Sequence, residues 1–241
     1  EESGGKNLVL MIEGQERNTG FIRFGFNTSD DFRGDNYYNL AIAYNKIGIS
    51  SFGAEWFTHL QLGNDSNLRT EFYIPLNYES PFYLLPMLEY SARDVSLYDD
   101  DLKTEQLLIR DKRTSAGVFA GYQSSNYADI GFGVVRSSGS LDVEIGTPEF
   151  TTLDYELGYL ETKFTFDSED NVYFPTSGSR AVLSARKFSQ QLGSNSDYVE
   201  VDLHFSRAFS FGAHTLIPRT LVTRSTGAKT IPSRQFYLGG L

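Results

Sequence analysis

The sequence contains no cysteine and one tryptophan, and no apolar run in it approaches the length of a transmembrane helix. Without cysteine there is no disulfide framework, no thiol nucleophile and no cysteine-ligated zinc or iron–sulfur site. Without a run of about 20 apolar residues no helix crosses a bilayer. The most apolar stretches, Phe82–Leu88 and Gly131–Val135, are far shorter. That absence leaves crossing by strands open, because alternation dilutes the apolar signal of a barrel strand by half. No signal peptide stands at Glu1, so the chain reads as mature or as cut from a longer protein. Positive charge is scarce: 21 Lys and Arg face 31 Asp and Glu, for a net charge of -10. That balance argues against nucleic acid as a partner.

What the chain has is aromatic residues and glycine, with 15 Tyr, 19 Phe and 22 Gly. This composition favours strands and turns. Residues Asn7–Glu13 read as one short strand, and after Gly14–Gly20 an alternating pattern begins that persists to the end. Its strands are expected at Gly20–Asn27, Tyr37–Asn45, Ser51–Leu62, Leu68–Ile74, Pro81–Val95, Lys103–Tyr122, Tyr127–Arg136, Thr151–Phe166, Ser179–Ser189, Asp197–Ala208 and Phe211–Arg224, eleven in all. In the third, Phe52, Ala54, Trp56, Thr58, Leu60 and Leu62 share one face and Gly53, Glu55, His59 and Gln61 the other, with Phe57 breaking the rule. Pro86 removes a ladder donor and predicts a bulge. A phase slip near Leu160 predicts another. Ser137–Phe150 reads as a long acidic loop.

Strands of ten or more residues recur, whereas soluble sandwiches use about five or six and tilted membrane strands about nine to eleven. Links from odd to even strands are mostly long and acidic, and links from even to odd mostly short, such as Lys46–Ser50, Gln123–Asn126 and Ser210. Long loops on one side and tight turns on the other mark an outer-membrane barrel. The exception is Asp167–Gly178, a long link on the short side. The fold class expected is therefore all-β: a transmembrane antiparallel up-and-down β-barrel. Sheet edges are not tolerated in hydrocarbon, and barrels of this kind use even strand numbers. An odd count of eleven implies an incomplete barrel.

Catalytic and metal motifs are missing. His59, His204 and His214 lack partners at ligand spacing. Glu200, Asp202 and His204 share a strand face, but a polar lumen accounts for them without hydrolysis. There is no Gly-x-Ser-x-Gly elbow, P-loop or dinucleotide fingerprint. The Arg33–Asp35 triplet reads as polar loop, and Asp99, Asp100 and Asp101 lack the spacing of a calcium loop. The chain is expected to hold no cofactor or metal and not to be an enzyme by itself.

Two segments resemble a known family. Asn171–Arg180, Asn-Val-Tyr-Phe-Pro-Thr-Ser-Gly-Ser-Arg, is similar to the periplasmic turn before a late strand in the Omp85 (bacterial surface antigen) superfamily. Arg234–Leu241 resembles the start of that family's sixth outer loop, which leaves strand eleven. The resemblance implies a sixteen-stranded barrel behind periplasmic POTRA domains, inserting outer-membrane proteins or moving polypeptides. It implies residues 1–19 as the end of a POTRA domain and linker, and 20–241 as the first eleven barrel strands. It also implies a functional seam of which Gly20–Asn27 is one half. Phe24–Leu40 is similar to the first hairpin of the branch whose barrel is fused to a patatin-like lipase, the type Vd autotransporters. On that likeness the leading expectation is a barrel that anchors and secretes an upstream patatin-like passenger; assembly or insertion of outer-membrane proteins, and a passive porin or adhesin, are the alternatives. Candidate site residues are Phe174, Pro175, Thr176, Ser177, Gly178, Arg180, Leu238, Gly239 and Gly240. Phe174 is expected to anchor the turn under the barrel. Arg180 points either inward to an acidic partner or outward to lipid headgroups. Expected partners are outer-membrane lipid, the upstream domains and the barrel assembly machinery. Alternation leaves homo-oligomerisation open.

Overall fold

The computed structural model describes residues 19–30, 36–77, 80–98, 105–124, 127–145 and 152–227. Twelve strands follow in chain order: β1 Gly20–Asp30, β2 Asn36–Lys46, β3 Glu55–Gly63, β4 Ser66–Pro75, β5 Phe82–Tyr98, β6 Glu105–Ser124, β7 Ala128–Ile145, β8 Leu153–Asp167, β9 Gly178–Phe188, β10 Tyr198–Phe211, β11 His214–Leu216 and β12 Arg219–Gly227. They form one antiparallel sheet in which each strand from β1 to β10 pairs with the next, and β12 continues alongside β10 where β11 stops. The expected eleventh strand is thus β11 and β12, interrupted at Ile217–Pro218, where Arg207 N–H still donates to the Pro218 carbonyl at 3.3 Å. Among the described residues β1 pairs only with β2, and β12 only with β10.

Side chains alternate across this sheet as the pleat requires. On β5–β7 the odd-numbered residues face a shared interior: Tyr83, Met87, Ser115, Gly131, Val135 and Ser137 are buried, while Leu84, Leu88, Val118, Phe132 and Val134 are exposed on the other side. The interior-facing set continues as Asn67, Arg69 and Glu71 on β4 and as Ser184, Arg186 and Glu200 on β9 and β10. The outward set on β1–β4 is Ile22, Phe24, Phe26, Leu40, Leu60, Leu68 and Phe72. Aromatics concentrate near the lower ends, with Trp56 stacked on Phe72 at 5.7 Å and Phe82 edge-on to Tyr122 at 5.1 Å. Inside, three rings lie over glycines of the neighbouring strand, Tyr83 over Gly121, Phe119 over Gly133 and Tyr155 over Gly139, in space that any Cβ would occupy.

Three expectations are corrected. Pro86 makes no bulge: β4 and β5 keep one register from Ser66↔Ala92 to Pro75↔Tyr83, and only the rungs at Phe72 and Tyr73 are lost. A proline whose missing donor would face β4 costs a rung without shifting the strand. Leu160 marks no slip, because β7–β8 and β8–β9 hold constant register throughout. The apolar side changes instead: Tyr155, Leu157 and Tyr159 face inward near the upper end, whereas Phe164 and Phe166 face outward below, with no change of pleat. Ser137–Ile145 is not loop but the upper half of β7. Its outward Ser138 and Ser140 read as polar loop, while Leu141 and Ser137 are buried inside.

Above this level the wall is inverted. Ile109, Leu141, Tyr155, Leu157, Phe188 and Tyr198 form the one cluster of buried apolar residues among those described, and it lies on the inner face. Phe188 stacks on Tyr198 at 4.0 Å and tilts against Tyr159 at 4.7 Å. The outer face opposite carries Lys112, Asp142, Glu156 and Arg136, joined as Lys112–Asp142 at 2.9 Å and Arg136–Glu156 at 3.4 Å. A water-side core pattern thus sits on top of a lipid-side pattern in the same strands.

Candidate functional site

Below the inner cluster the concave face encloses a cavity of about 900 Å³ whose wall includes Arg69, Glu89, Arg113, Glu161, Lys163 and Arg186. Cross-strand register creates its ion pairs. Arg186 on β9 lies opposite Glu161 on β8 and Glu200 on β10. Its guanidinium donates to Glu161 at 3.2 Å, Glu200 at 3.3 Å and Asp202 at 2.7 Å. One cation thus holds three carboxylates, and Glu200 is 1% exposed. Arg69 similarly joins Glu71 at 2.8 Å and Glu89 at 3.5 Å. Tyr83 donates to Asp129 at 3.0 Å, and Tyr155 to Asp111 at 2.5 Å. Charged groups in such a wall are affordable only when paired and hydrogen-bonded. The result is a wide polar interior with no grouping of ligands suited to a metal among the described residues. Of the expected polar row, Glu200 and Asp202 join this network; His204 lines a smaller cavity lower down with Arg180 and Val182. His59 lies 3.5 Å from the Asn67 side-chain oxygen. Sequence inspection missed Arg186 as the organising residue. The signal was present, since an arginine aligned with acids on both neighbouring strands follows once register is known.

The second feature is the connection from β8 to β9, residues 168–177. Its backbone is tied down by its own side chains. Asp170 accepts from Thr176 N–H at 2.8 Å and Ser177 N–H at 3.2 Å, and from the Thr176 hydroxyl. These bonds, led by the Thr176 hydroxyl, hold the Asp170 carboxyl down at about 2. Asn171 accepts from Tyr173 and Phe174 N–H at 2.8 and 3.0 Å. Gly178 takes φ 100°, and a Cβ there would collide with the Ser168 carbonyl. The turn is fastened to β10 by Ser206 donating to Glu169 at 3.0 Å and Ser210 to the Thr176 carbonyl at 2.6 Å.

Five of the candidate residues therefore belong to one ordered turn. Pro175 is buried in it, Thr176 and Ser177 supply donors to Asp170, and Gly178 makes the exit. Phe174 is 83% exposed and packs on no part of the described wall. Arg180 lies on the inner face, with Asp167 across the strand pair as its acidic neighbour at 3.7 Å. Leu238, Gly239 and Gly240 lie outside the described residues, as do Arg33–Asp35, Asp99–Asp101 and the segment 1–18.

The third feature is β1. Ile22, Phe24 and Phe26 are 61, 75 and 70% exposed on its outward face.

The comparisons with known proteins agree with this geometry. A model of the Omp85 superfamily domain matches residues 32–241. Among solved structures, BamA from Haemophilus ducreyi lacking POTRA domains 1–3 superposes with a TM-score of 0.73 at 17% identity, covering 94% of this chain. At that identity the likeness speaks to the fold. The chain spans 45% of that structure's length. No curated protein matches the chain. Matched by the family model over nearly all of its barrel strands, the chain belongs to the Omp85 superfamily and is part of a bacterial outer-membrane β-barrel.

Proposed function

We propose that this barrel assembles or inserts polypeptide strands into the outer membrane, with β1 as the edge that receives them. The observation that carries the reading is β1 itself. It is an eleven-residue strand, long enough to cross the bilayer, and it is held in the wall by an unbroken ladder to β2 from Gly20↔Lys46 to Asp30↔Asn36. The family resemblance implies that β1 is one half of the seam at which the barrel closes, where an incoming strand can add by backbone pairing, and its outward Ile22, Phe24 and Phe26 already face lipid. The polar lumen supports the same reading, since a paired-charge wall passes unfolded chain without trapping apolar segments. The family resemblance in Asn171–Arg180 points the same way. On this reading the chain performs no catalysis of its own.

The test is reconstitution of the full-length protein in liposomes with an unfolded outer-membrane protein as client. Insertion is followed by heat-resistant gel mobility, and cysteines placed along Gly20–Asn27 are crosslinked to client strands. Faster client insertion with crosslinks confined to β1 is expected. Unaccelerated insertion refutes the reading.

A second reading, secretion of an upstream patatin-like passenger, rests on the likeness of Phe24–Leu40 to that branch's first hairpin. Reading the gene upstream separates the two: a lipase domain followed by one POTRA domain supports secretion, several POTRA domains without a lipase support assembly. Steady ion conductance with no effect on client or passenger would favour a porin.

A further inference from the structure

The geometry points to a binding site for one phosphate-bearing glycolipid of the outer leaflet, on the outside of the wall between β4 and β7. The sheet is dented there. Phe72, Pro86, Leu88, Ala116 and Val134 line a cavity of about 430 Å³, and Arg136 stands at its upper end. The dent has two causes. Pro86 removes the β4–β5 rungs at Phe72 and Tyr73, and Ala116 puts a methyl where its outward neighbours Leu88 and Val118 put larger groups. A groove of that size and lining takes a hydrocarbon chain.

Its position is set by chain length. From Ala128 at the lower end of β7 to Arg136 is eight residues, about 26 Å along a strand. Barrel tilt reduces that to about 20 Å of height, close to the top of an apolar band of about 25 Å. The outward residues of β7 change there from Ile130, Phe132 and Val134 to Arg136, Ser138 and Ser140. Arg136 therefore sits where acyl chains end and headgroup phosphates begin, and lipid necessarily covers the groove.

The guanidinium is also held in place. Nη1 donates to the Leu192 carbonyl at 2.9 Å and Nη2 approaches Glu156 at 3.4 Å. Gly193, at φ 87°, leaves the space that a Cβ would take from Arg136. Glu156 pairs with Ser138 in register, one step above Arg136, so it lies on the rim side and the groove on the other. The remaining N–H bonds can meet a phosphate in the two-pronged geometry that arginine favours. Lipid with a phosphate but no matching chain, or a chain with no phosphate, uses half of the site.

The test is native mass spectrometry of the full-length protein released from nanodiscs of phosphatidylcholine doped with a phosphorylated lipid A-type glycolipid. Wild type is expected to retain one glycolipid. Arg136→Gln and the groove-filling Ala116→Leu should each lower retention at least five-fold, and the dephosphorylated glycolipid should be retained as poorly as by Arg136→Gln. Heat-modifiable gel mobility establishes that each variant is folded; Arg136→Gln, on an exposed position, decides the matter if Ala116→Leu is not. Retention unchanged by Arg136→Gln, or equal for the dephosphorylated lipid, overturns the site. Equal retention of phosphatidylglycerol overturns the glycolipid as its occupant. Client insertion at β1, measured in parallel, is expected to be unaffected by either variant.

Discussion

Substituting Gly121 by alanine isolates the energetic role of rings lying over glycines in the wall. A Cβ at Gly121 would stand 2.1 Å from Tyr83 Cζ and 2.3 Å from its hydroxyl, while a Cβ at Gly131, on the next strand, would stand 3.6 Å from the same hydroxyl. The first distance is impossible and the second is ordinary contact. In Gly121→Ala the Tyr83 ring must leave its buried position and lose its 3.0 Å bond to Asp129. Overpacking costs about 1–3 kcal/mol, and losing a hydrogen bond to a charged group about 1.5–3 kcal/mol. The variant should therefore lose about 3–5 kcal/mol. Gly131→Ala should stay within about 0.5–1 kcal/mol of wild type, with any gain coming from a less flexible unfolded chain. Denaturant titration of the full-length protein in lipid, read by heat-modifiable mobility, measures both. Tyr83→Ala in the Gly121→Ala background should recover part of the loss, a coupling of about 0.5–3 kcal/mol. Equal midpoints for the two glycine variants would refute the ring-over-glycine account.

Three other perturbations test separate parts of the wall. Arg186→Met leaves Glu161, Glu200 and Asp202 facing one another without their shared cation; a loss of about 3 kcal/mol is expected, the low end for a broken buried pair in a solvated lumen, and adding Glu200→Gln with Asp202→Asn should restore most of the denaturation midpoint. In the turn of residues 168–177, Asp170 titrates at about 2, below the ordinary carboxylate value. A depressed folded-state value means that its support is complete above the unfolded value and is lost as pH falls through about 2. Pepsin should then cleave at the exposed Tyr173–Phe174 bond slowly at pH near 3.5 and faster near 2, while Asp170→Asn should be cleaved alike at both; equal wild-type and variant rates at the higher pH would remove Asp170 as the clamp. Spin labels at Leu40, Leu60 and Leu203, all on the outward face, should report hydrocarbon contact, and a label at Leu157, which is 1% exposed in the inner cluster, should not.

The strand order was legible because alternation survives in nearly every element. β3 shows it most plainly: Trp56, Thr58, Leu60 and Leu62 face outward, and the irregular Phe57 is one of the inward side chains beside Glu55 and His59. The errors fall where one rule was applied to two environments. Placing all the apolar residues of β8 on one face, Tyr155 and Leu157 with Phe164 and Phe166, requires a slip at Leu160. The register holds, and the medium outside changes from water to lipid along the strand. Ser138 and Ser140 looked like loop for the same reason. The turn of residues 168–177 was found from its motif, but its clamp was not. Asp170 sits before the motif, and its role depends on six residues of chain returning Thr176 to it. Arg186 was missed because ion pairs in a sheet belong to register, which one strand's sequence does not contain.

The inversion along β5–β8 also explains why these strands are so long. A tilted span needs about nine to eleven residues, yet β6 has 20 and β7 has 18. The excess stands above the bilayer, where lipid no longer holds the outer face and the wall has to be stabilised from within. Ile109, Leu141, Tyr155, Leu157, Phe188 and Tyr198 do this by burying apolar surface on the inner side, while Lys112, Asp142 and Glu156 meet water on the outer, above Arg136 at the lipid boundary. Such a cluster narrows the upper interior with apolar side chains, directly above a lower interior lined with ion pairs. A chain passing upward would have to leave a polar channel and cross an apolar one. A chain leaving sideways at β1 meets no such step. If the proposed function holds, the inner cluster obstructs passage through the rim and leaves delivery at β1 untouched, so enlarging the upper interior with Leu157→Ala and Phe188→Ala should raise ion conductance without accelerating client insertion.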